Sequence, residues 1–132
     1  MRGDDPGEDS GVLKTWMIAE YLRPYAQWRI NRADPCDDGR NARAAIGLID
    51  AAAYVTHLDE RERVIVRMDS AGCFALGHFD PGIEGETLVR HWHYDKAEDG
   101  PAELFEALAV AAERGRRAAS LARAKEGEAA PA

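Results

Sequence analysis

The chain has 132 residues and a formal charge of −7, with 45% hydrophobic and 31% charged residues. This length supports a single domain that buries its own core without disulfides or a metal as a staple. The acidic balance argues against a nucleic-acid-binding role, because acidic surfaces repel phosphate backbones.

Cys36 and Cys73 have no paired spacing, which is typical of free thiols in a reducing cytoplasm. No stretch approaches the roughly 20 apolar residues of a membrane helix, and the acidic N-terminus lacks a signal-peptide core. We therefore expect a cytoplasmic protein without a membrane partner. The abundance of Ala, Arg, Gly and Asp indicates a bacterial origin.

Residues 1–10 are rich in Asp, Glu, Gly and Pro and predict a disordered acidic tail before a single domain over 11–118. Ser10 can cap a first helix that runs from Gly11 to about Arg23, and Pro24 should end or kink it. This segment carries more aromatic residues than one small domain buries easily: Trp16, Tyr21, Tyr25 and Trp28.

A second helix is predicted over about 39–58, with Asp37 or Asp38 as its N-cap. Its polar residues form one stripe, and nearly all its other positions are apolar, which predicts packing on at least two sides. Near the helix N-terminus, Arg40 and Arg43 are candidates to hold a small anionic ligand. Tyr54 and His57 are candidates for a polar pocket, and the alternative is that the stripe is a solvated edge.

Beyond residue 63 the hydrophobic period changes to 2, which predicts strands over 64–69, 73–79 and 87–94. Pro101 then suits the first turn of a last helix, which should fray beyond Gly115 into a flexible tail over 119–132. The predicted fold class is α+β, in the order α-α-β-β-β-α, with a three-stranded antiparallel meander.

His78 and Asp80 are candidates for a general base and its orienting carboxylate, because residues two apart on a strand face the same way. The alternative is that Asp80 simply caps the turn at Pro81 and Gly82.

His91 and His93 share a face of the predicted third strand and are candidates to bind a divalent metal. With Gly85 and Glu98 they resemble the first signature of the cupin family, whose members bind a metal in a barrel of two sheets. The sequence after Pro101 is helical and lacks histidine, so the second cupin motif is absent and the match is coincidental. The alternative is that both histidines line a solvated sheet face.

No catalytic motif is complete in this sequence. We therefore expect an accessory or regulatory protein that acts by binding a protein partner or a second copy of itself as a homodimer, without a cofactor. The alternative is a small enzyme or ligand-binding protein, whose histidine-rich pocket would lie between the long helix and the sheet.

Overall fold

The structure is a computed structural model that describes residues 13–92 and 100–129. Within these ranges the chain forms five helices: α1 (Lys14–Asn31), α2 (Arg40–Thr56), α3 (Arg63–Ser70), α4 (Gly82–His91) and α5 (Pro101–Ala129). The described part contains no strand, so the predicted α+β class and its three-stranded meander are wrong. The predicted tail over 1–10 lies outside the described residues.

The first two helices form an antiparallel pair and pack along most of their length. Ile18 and Leu22 of α1 are buried against Leu48 and Val55 of α2. Pro24 lies inside α1, which continues to Asn31, so Pro24 does not end that helix.

The turn between α1 and α2 differs from the predicted capping. The N-cap of α2 is Gly39, in a left-handed conformation with no side-chain cap. Asp37 instead accepts hydrogen bonds from the Gly39 amide at 2.8 Å and from the Asn41 side chain at 2.9 Å. The Asn41 hydrogen bond is the main reason that the pKa of Asp37 lies below its usual range.

The first predicted strand, over 64–69, is instead part of α3. Ile65 and Met68 are three positions apart and both fully buried, as one face of a helix requires. The segment has apolar residues at 64, 65, 66 and 68, which fit the two-residue period of a strand as well as the 3.6-residue period of a helix. Its packing against α5 favours the helix.

The second predicted strand, over 73–79, is a series of turns between α3 and α4. Gly72 and Gly77 adopt positive φ angles of 92° and 85°, which glycine tolerates and other residues rarely do. Cys73 and Phe79 are buried, and the Asp80 amide donates to the Cys73 carbonyl at 2.8 Å to close the loop. Cys73, Phe74 and Phe79 of this loop therefore belong to the core although its backbone is irregular.

The third predicted strand, over 87–94, is also wrong, because residues 87–91 belong to α4. Gly85, Leu88, Val89 and Trp92 are all at least partly buried, and their spacing of three and four residues is that of one helix face. This helical signal is present in the sequence alongside the alternation that favoured a strand.

The last helix begins at Pro101, as predicted, and buries Leu104, Phe105 and Leu108. It contacts α2, α3 and α4 and so covers the core from one side. Rather than fraying beyond Gly115, α5 continues to Ala129, with exposed side chains from Arg116 to Lys125.

Candidate functional site

Four large apolar side chains are about half exposed along α1 and α2. Their exposed fractions are 45% for Trp16, 47% for Ile30, 59% for Ile46 and 52% for Ile49. Such side chains lie scattered on most soluble proteins, but here they share one side of a helix pair. We call this surface the α1–α2 face.

A groove of about 510 Å³ runs along the α1–α2 face between the two helices. Buried alanines, Ala26 and Ala52, lie at its floor, and Trp16, Ile30 and Ile49 line its walls. Ile46 does not line the groove, but it is exposed three positions before Ile49, on the same side of α2. The face therefore combines a concave apolar surface with a protruding apolar side chain.

The second helix contacts both α1 and α5, as packing on at least two sides requires, and the α1–α2 face is a further side of α2 that stays exposed. The buried residues of α2, such as Ala44, Leu48 and Val55, lie along one side of the helix. Ala42 and Ala53 are exposed together with Ile46 and Ile49, so four of the ten aliphatic side chains of α2 face solvent.

The two arginines predicted to hold an anion lie at the N-terminus of α2, where Arg40 is exposed. The Arg43 guanidinium donates to the Asp38 carbonyl at 2.9 Å. Asp37 and Asp38 lie at the same helix end, and their carboxylates oppose the binding of an anion.

Tyr54 and His57 lie near the other end of α2, roughly 16 Å and 21 Å from Arg43 along the helix at 1.5 Å per residue. The Tyr54 ring stacks on Phe105 of α5, with 6.0 Å between ring centroids. His57 is exposed, and its Nδ1 atom lies 2.9 Å from the Ala53 carbonyl of the same helix. The pocket predicted for these residues required a sheet, and α5 occupies the neighbouring position instead.

The four aromatic residues predicted for an interface separate into different environments. Trp16 lies on the α1–α2 face. Trp28 is partly buried, and the guanidinium carbons of Arg29, Arg32 and Arg90 lie 5.0–5.6 Å from its ring centroid. Tyr21 and Tyr25 lie elsewhere on α1, where they line a cleft.

This cleft has a volume of about 440 Å³ and lies between α1 and the segment that enters α4. It brings together the two predicted catalytic candidates, His78 and Asp80, with three residues that the sequence analysis did not assign to a site. We call it the tyrosine cleft and define it by Tyr21, Tyr25, His78, Asp80 and Glu86.

A chain of hydroxyl groups crosses the tyrosine cleft. Tyr25 donates a hydrogen bond to Glu86 Oε2 at 2.8 Å, and Tyr21 donates to the Tyr25 hydroxyl at 3.4 Å. Burial raises the pKa of Tyr21, and its hydrogen bond to Tyr25 and the negative charges of Glu86 and Asp80 raise it further. Tyr21 is therefore a protonated donor at neutral pH.

His78 is exposed at the edge of the cleft. The Asp80 carboxylate accepts a hydrogen bond from the Gly82 amide at 3.0 Å, which is the turn-capping arrangement given above as the alternative. No hydrogen bond or ion pair joins His78 to Asp80 among the contacts of the described residues, so a histidine–carboxylate pair remains a prediction.

The spacing of the two tyrosines in the sequence is a pattern that indicates this cleft. Tyr21 and Tyr25 are four residues apart, which places both on one side of a helix. Glu86 reaches them only because residues 82–91 form a helix rather than a strand.

His91 is exposed at the last position of α4, and His93 lies outside the described residues. His91 is helical, so it lacks the strand geometry that would turn its imidazole to the same side as that of His93. Across residues 13–92 and 100–129, no group of three or more His, Cys, Asp or Glu side chains is placed to hold a metal. Metal binding by His91 and His93 therefore stays a prediction.

The helices described here include none that combines the length and the apolar character needed to cross a membrane. Comparison with protein-family models, curated proteins and solved structures found no match for this chain.

Proposed function

We propose that this protein is a binding module that acts as a homodimer, with the α1–α2 face as its dimer interface. The observation that carries this proposal is the exposure of Trp16, Ile30, Ile46 and Ile49 around one groove. Together these side chains expose apolar area on the order of a few hundred Å², which is the size of patch that marks interaction sites.

The shape of the face favours a second copy of the chain as its occupant. A two-fold dimer uses the same surface twice, so that surface must be complementary to itself. The groove of one copy can receive Ile46 of the other, because the face offers both a concavity and a protruding residue.

The charged residues around the α1–α2 face also favour a second copy of the chain as its occupant. Arg23 of α1 lines the groove and lies over the Trp16 ring, with 5.9 Å from its guanidinium carbon to the ring centroid. Asp50 of α2 is exposed one helical turn from Ile46. A two-fold axis between the helix pairs would place Arg23 of each copy near Asp50 of the other, forming a polar rim.

A stable dimer buries roughly 800 Å² per partner, which is more than the apolar side chains alone supply. The remaining area would come from Arg43, Asp50 and the rest of the polar stripe on α2. This assigns the stripe to the rim of an interface rather than to a ligand pocket.

We also assign the protein to the cytoplasm, because Cys36 and Cys73 are both unpaired.

Light scattering coupled to size-exclusion chromatography tests the proposal, because a dimer has twice the mass of the 14.5 kDa chain. We expect a dimer at about 50 µM and a shift of Ile49→Glu to monomer, since a carboxylate would be buried at the interface. Leu76→Glu is the matched control, because Leu76 is 69% exposed and lies in the loop between α3 and α4.

A monomer at 200 µM would contradict the homodimer. A dimer that persists in Ile49→Glu would contradict the α1–α2 face as its interface. Circular dichroism of each variant establishes that the helices are retained.

A further inference from the structure

We propose that the tyrosine cleft is a binding site for a small organic cation, an ammonium or guanidinium group on an apolar stem. This proposal is independent of dimerisation. At 100° per residue, Tyr21 and Tyr25 lie roughly opposite Trp16 and Arg23 around α1, so the cleft and the α1–α2 face can be tested separately.

The first argument is the charge of the cleft. Its lining contains two carboxylates, Asp80 and Glu86, and no lysine or arginine. The arginine nearest to Glu86 is Arg90, whose Nε atom is 3.9 Å from Glu86 Oε2 and which does not line the cleft. A cation entering the cleft therefore meets negative charge on two sides.

The second argument is the fixed position of the Glu86 carboxylate. The Tyr25 hydroxyl holds Glu86 Oε2 at 2.8 Å, across 61 positions of sequence. Tyr25 is in turn held by the Tyr21 hydroxyl and by contact between the two rings, whose centroids are 5.3 Å apart. A pre-positioned carboxylate loses less conformational entropy when it binds a charged donor.

The third argument is the aromatic wall. Tyr21 and Tyr25 line the cleft together with Phe79, whose ring packs edge-on against Tyr21 with 5.3 Å between centroids. Aromatic rings attract cations through their quadrupole and also bury the apolar stem that carries the charge. Carboxylates together with aromatic walls select organic cations over anions and over neutral apolar ligands.

A bare metal ion fits this cleft less well than an organic cation. Neither tyrosine is a ready metal ligand, because the raised pKa of Tyr21 keeps its phenol protonated and the Tyr25 hydroxyl is already donated to Glu86. The other titratable groups of the lining are two carboxylates and the exposed His78, and no group of three or more His, Cys, Asp or Glu side chains among the described residues is placed to hold a metal.

The test is a nuclear magnetic resonance titration of the full chain with n-butylammonium chloride and, separately, n-butylguanidinium chloride. n-Butanol serves as the uncharged control at the same concentrations, and sodium chloride holds the ionic strength constant. We expect saturable shifts of the Tyr21 and Tyr25 ring signals with at least one cation and none with butanol. Tyr54 is an internal control, because it stacks on Phe105 outside the cleft.

Glu86→Gln is the decisive variant, because the amide keeps an acceptor for Tyr25 and removes the charge. We expect it to weaken cation binding by about tenfold or more, since a charge-assisted hydrogen bond is lost. Glu103→Gln is the matched control: Glu103 is exposed in the first turn of α5, and its removal should leave the dissociation constant unchanged. If Glu86→Gln fails to fold, Asp80→Asn tests the second carboxylate in the same way.

The proposal is overturned if neither cation gives a saturable shift below 20 mM, or if butanol binds equally well. It is also overturned if Glu86→Gln and Glu103→Gln bind the cation as the original chain does. None of these results bears on the α1–α2 face, whose test is the oligomeric state.

Discussion

Arg67 forms a two-point ion pair with Glu113, in which Nε and Nη2 each lie 2.8 Å from a carboxylate oxygen. Arg67 also donates to Glu106 at 2.7 Å through Nη1. One side chain of α3 is thus held by two residues of α5 that lie about two helical turns apart. The short helix α3 is oriented by this polar contact as well as by its buried residues Ile65 and Met68.

We predict that the stabilisation from Arg67 depends on pH. Its hydrogen bonds are the largest cause of the lowered pKa of Glu113. A carboxyl group whose pKa is lower in the folded state stabilises the fold above its ordinary pKa of about 4.3, and that stabilisation is lost as the pH falls through the folded value. Arg67→Met should therefore lower Tm by roughly 2–5 °C at pH 7 and by less at pH 3.

Thermal unfolding followed by circular dichroism at both pH values measures this difference. Arg123→Met is the control, because Arg123 is exposed and contacts Ser120 at 3.4 Å. An equal loss of Tm at pH 7 and pH 3 would show that Arg67 acts through packing of its stem.

Replacement by alanine at two helical glycines should change the free energy of unfolding in opposite directions. A Cβ atom at Gly85 would lie 2.5 Å from the Pro81 Cβ atom, whereas at Gly115 it would have no neighbour within 4 Å. Gly115→Ala should stabilise the protein by about 0.5–1 kcal/mol, because alanine is the better helix former. Gly85→Ala should destabilise it by about 1–3 kcal/mol, because α4 must move away from its own N-terminal turn.

Urea unfolding of both variants gives the two free energies under the same conditions. A stabilising Gly85→Ala would mean that α4 is not held against Pro81 and Leu108 as the structure places it.

The two cysteines should differ in reactivity. Burial is the main cause that raises the pKa of the Cys73 thiol to about 11, and the charges of Asp80 and Asp69 add to it. Cys36 is exposed in the turn between α1 and α2. At pH 8 an aromatic disulfide reagent should modify one thiol within minutes, and Cys36→Ser should abolish that fast phase.

Modification of Cys73 should become fast only in denaturant. A fast phase that persists in Cys36→Ser would show that the loop carrying Cys73 opens readily in the folded protein.

The loop between α3 and α4 should contribute to stability as strongly as a helix does. Phe79 is 2% exposed and contacts the rings of Tyr21 and Phe74, with centroids 5.3 and 5.5 Å away. Phe79→Ala should cost about 3–5 kcal/mol, because it leaves a cavity among these rings. Leu76→Ala, in the same loop, should change the unfolding free energy by less than about 0.5 kcal/mol, since Leu76 is 69% exposed.

Chemical denaturation compares the two loop variants directly. Similar free energies for Phe79→Ala and Leu76→Ala would contradict the burial of this loop.

The sequence by itself determined that three long segments are helical, but it did not predict that α1 continues past Pro24 to Asn31 or that α5 continues past Gly115 to Ala129. α1, α2 and α5 carry apolar residues at helical spacing over at least 17 positions, and a pattern of that length admits only one period. The start of α5 at Pro101 was predicted because proline suits the first turn of a helix.

Tertiary structure alone decided that the middle of the chain forms the helices α3 and α4. α3 and α4 are 8 and 10 residues long, and over so few positions the β-branched and aromatic residues fit a strand as well as a helix. A strand needs a partner to satisfy its backbone groups, whereas a helix bonds within itself and needs only a surface to cover. Here α5 supplies that surface, with Arg67 and Glu113 as the polar contact. The tyrosine cleft and the α1–α2 face follow from that choice, because which side of each helix meets solvent depends on where its neighbours pack.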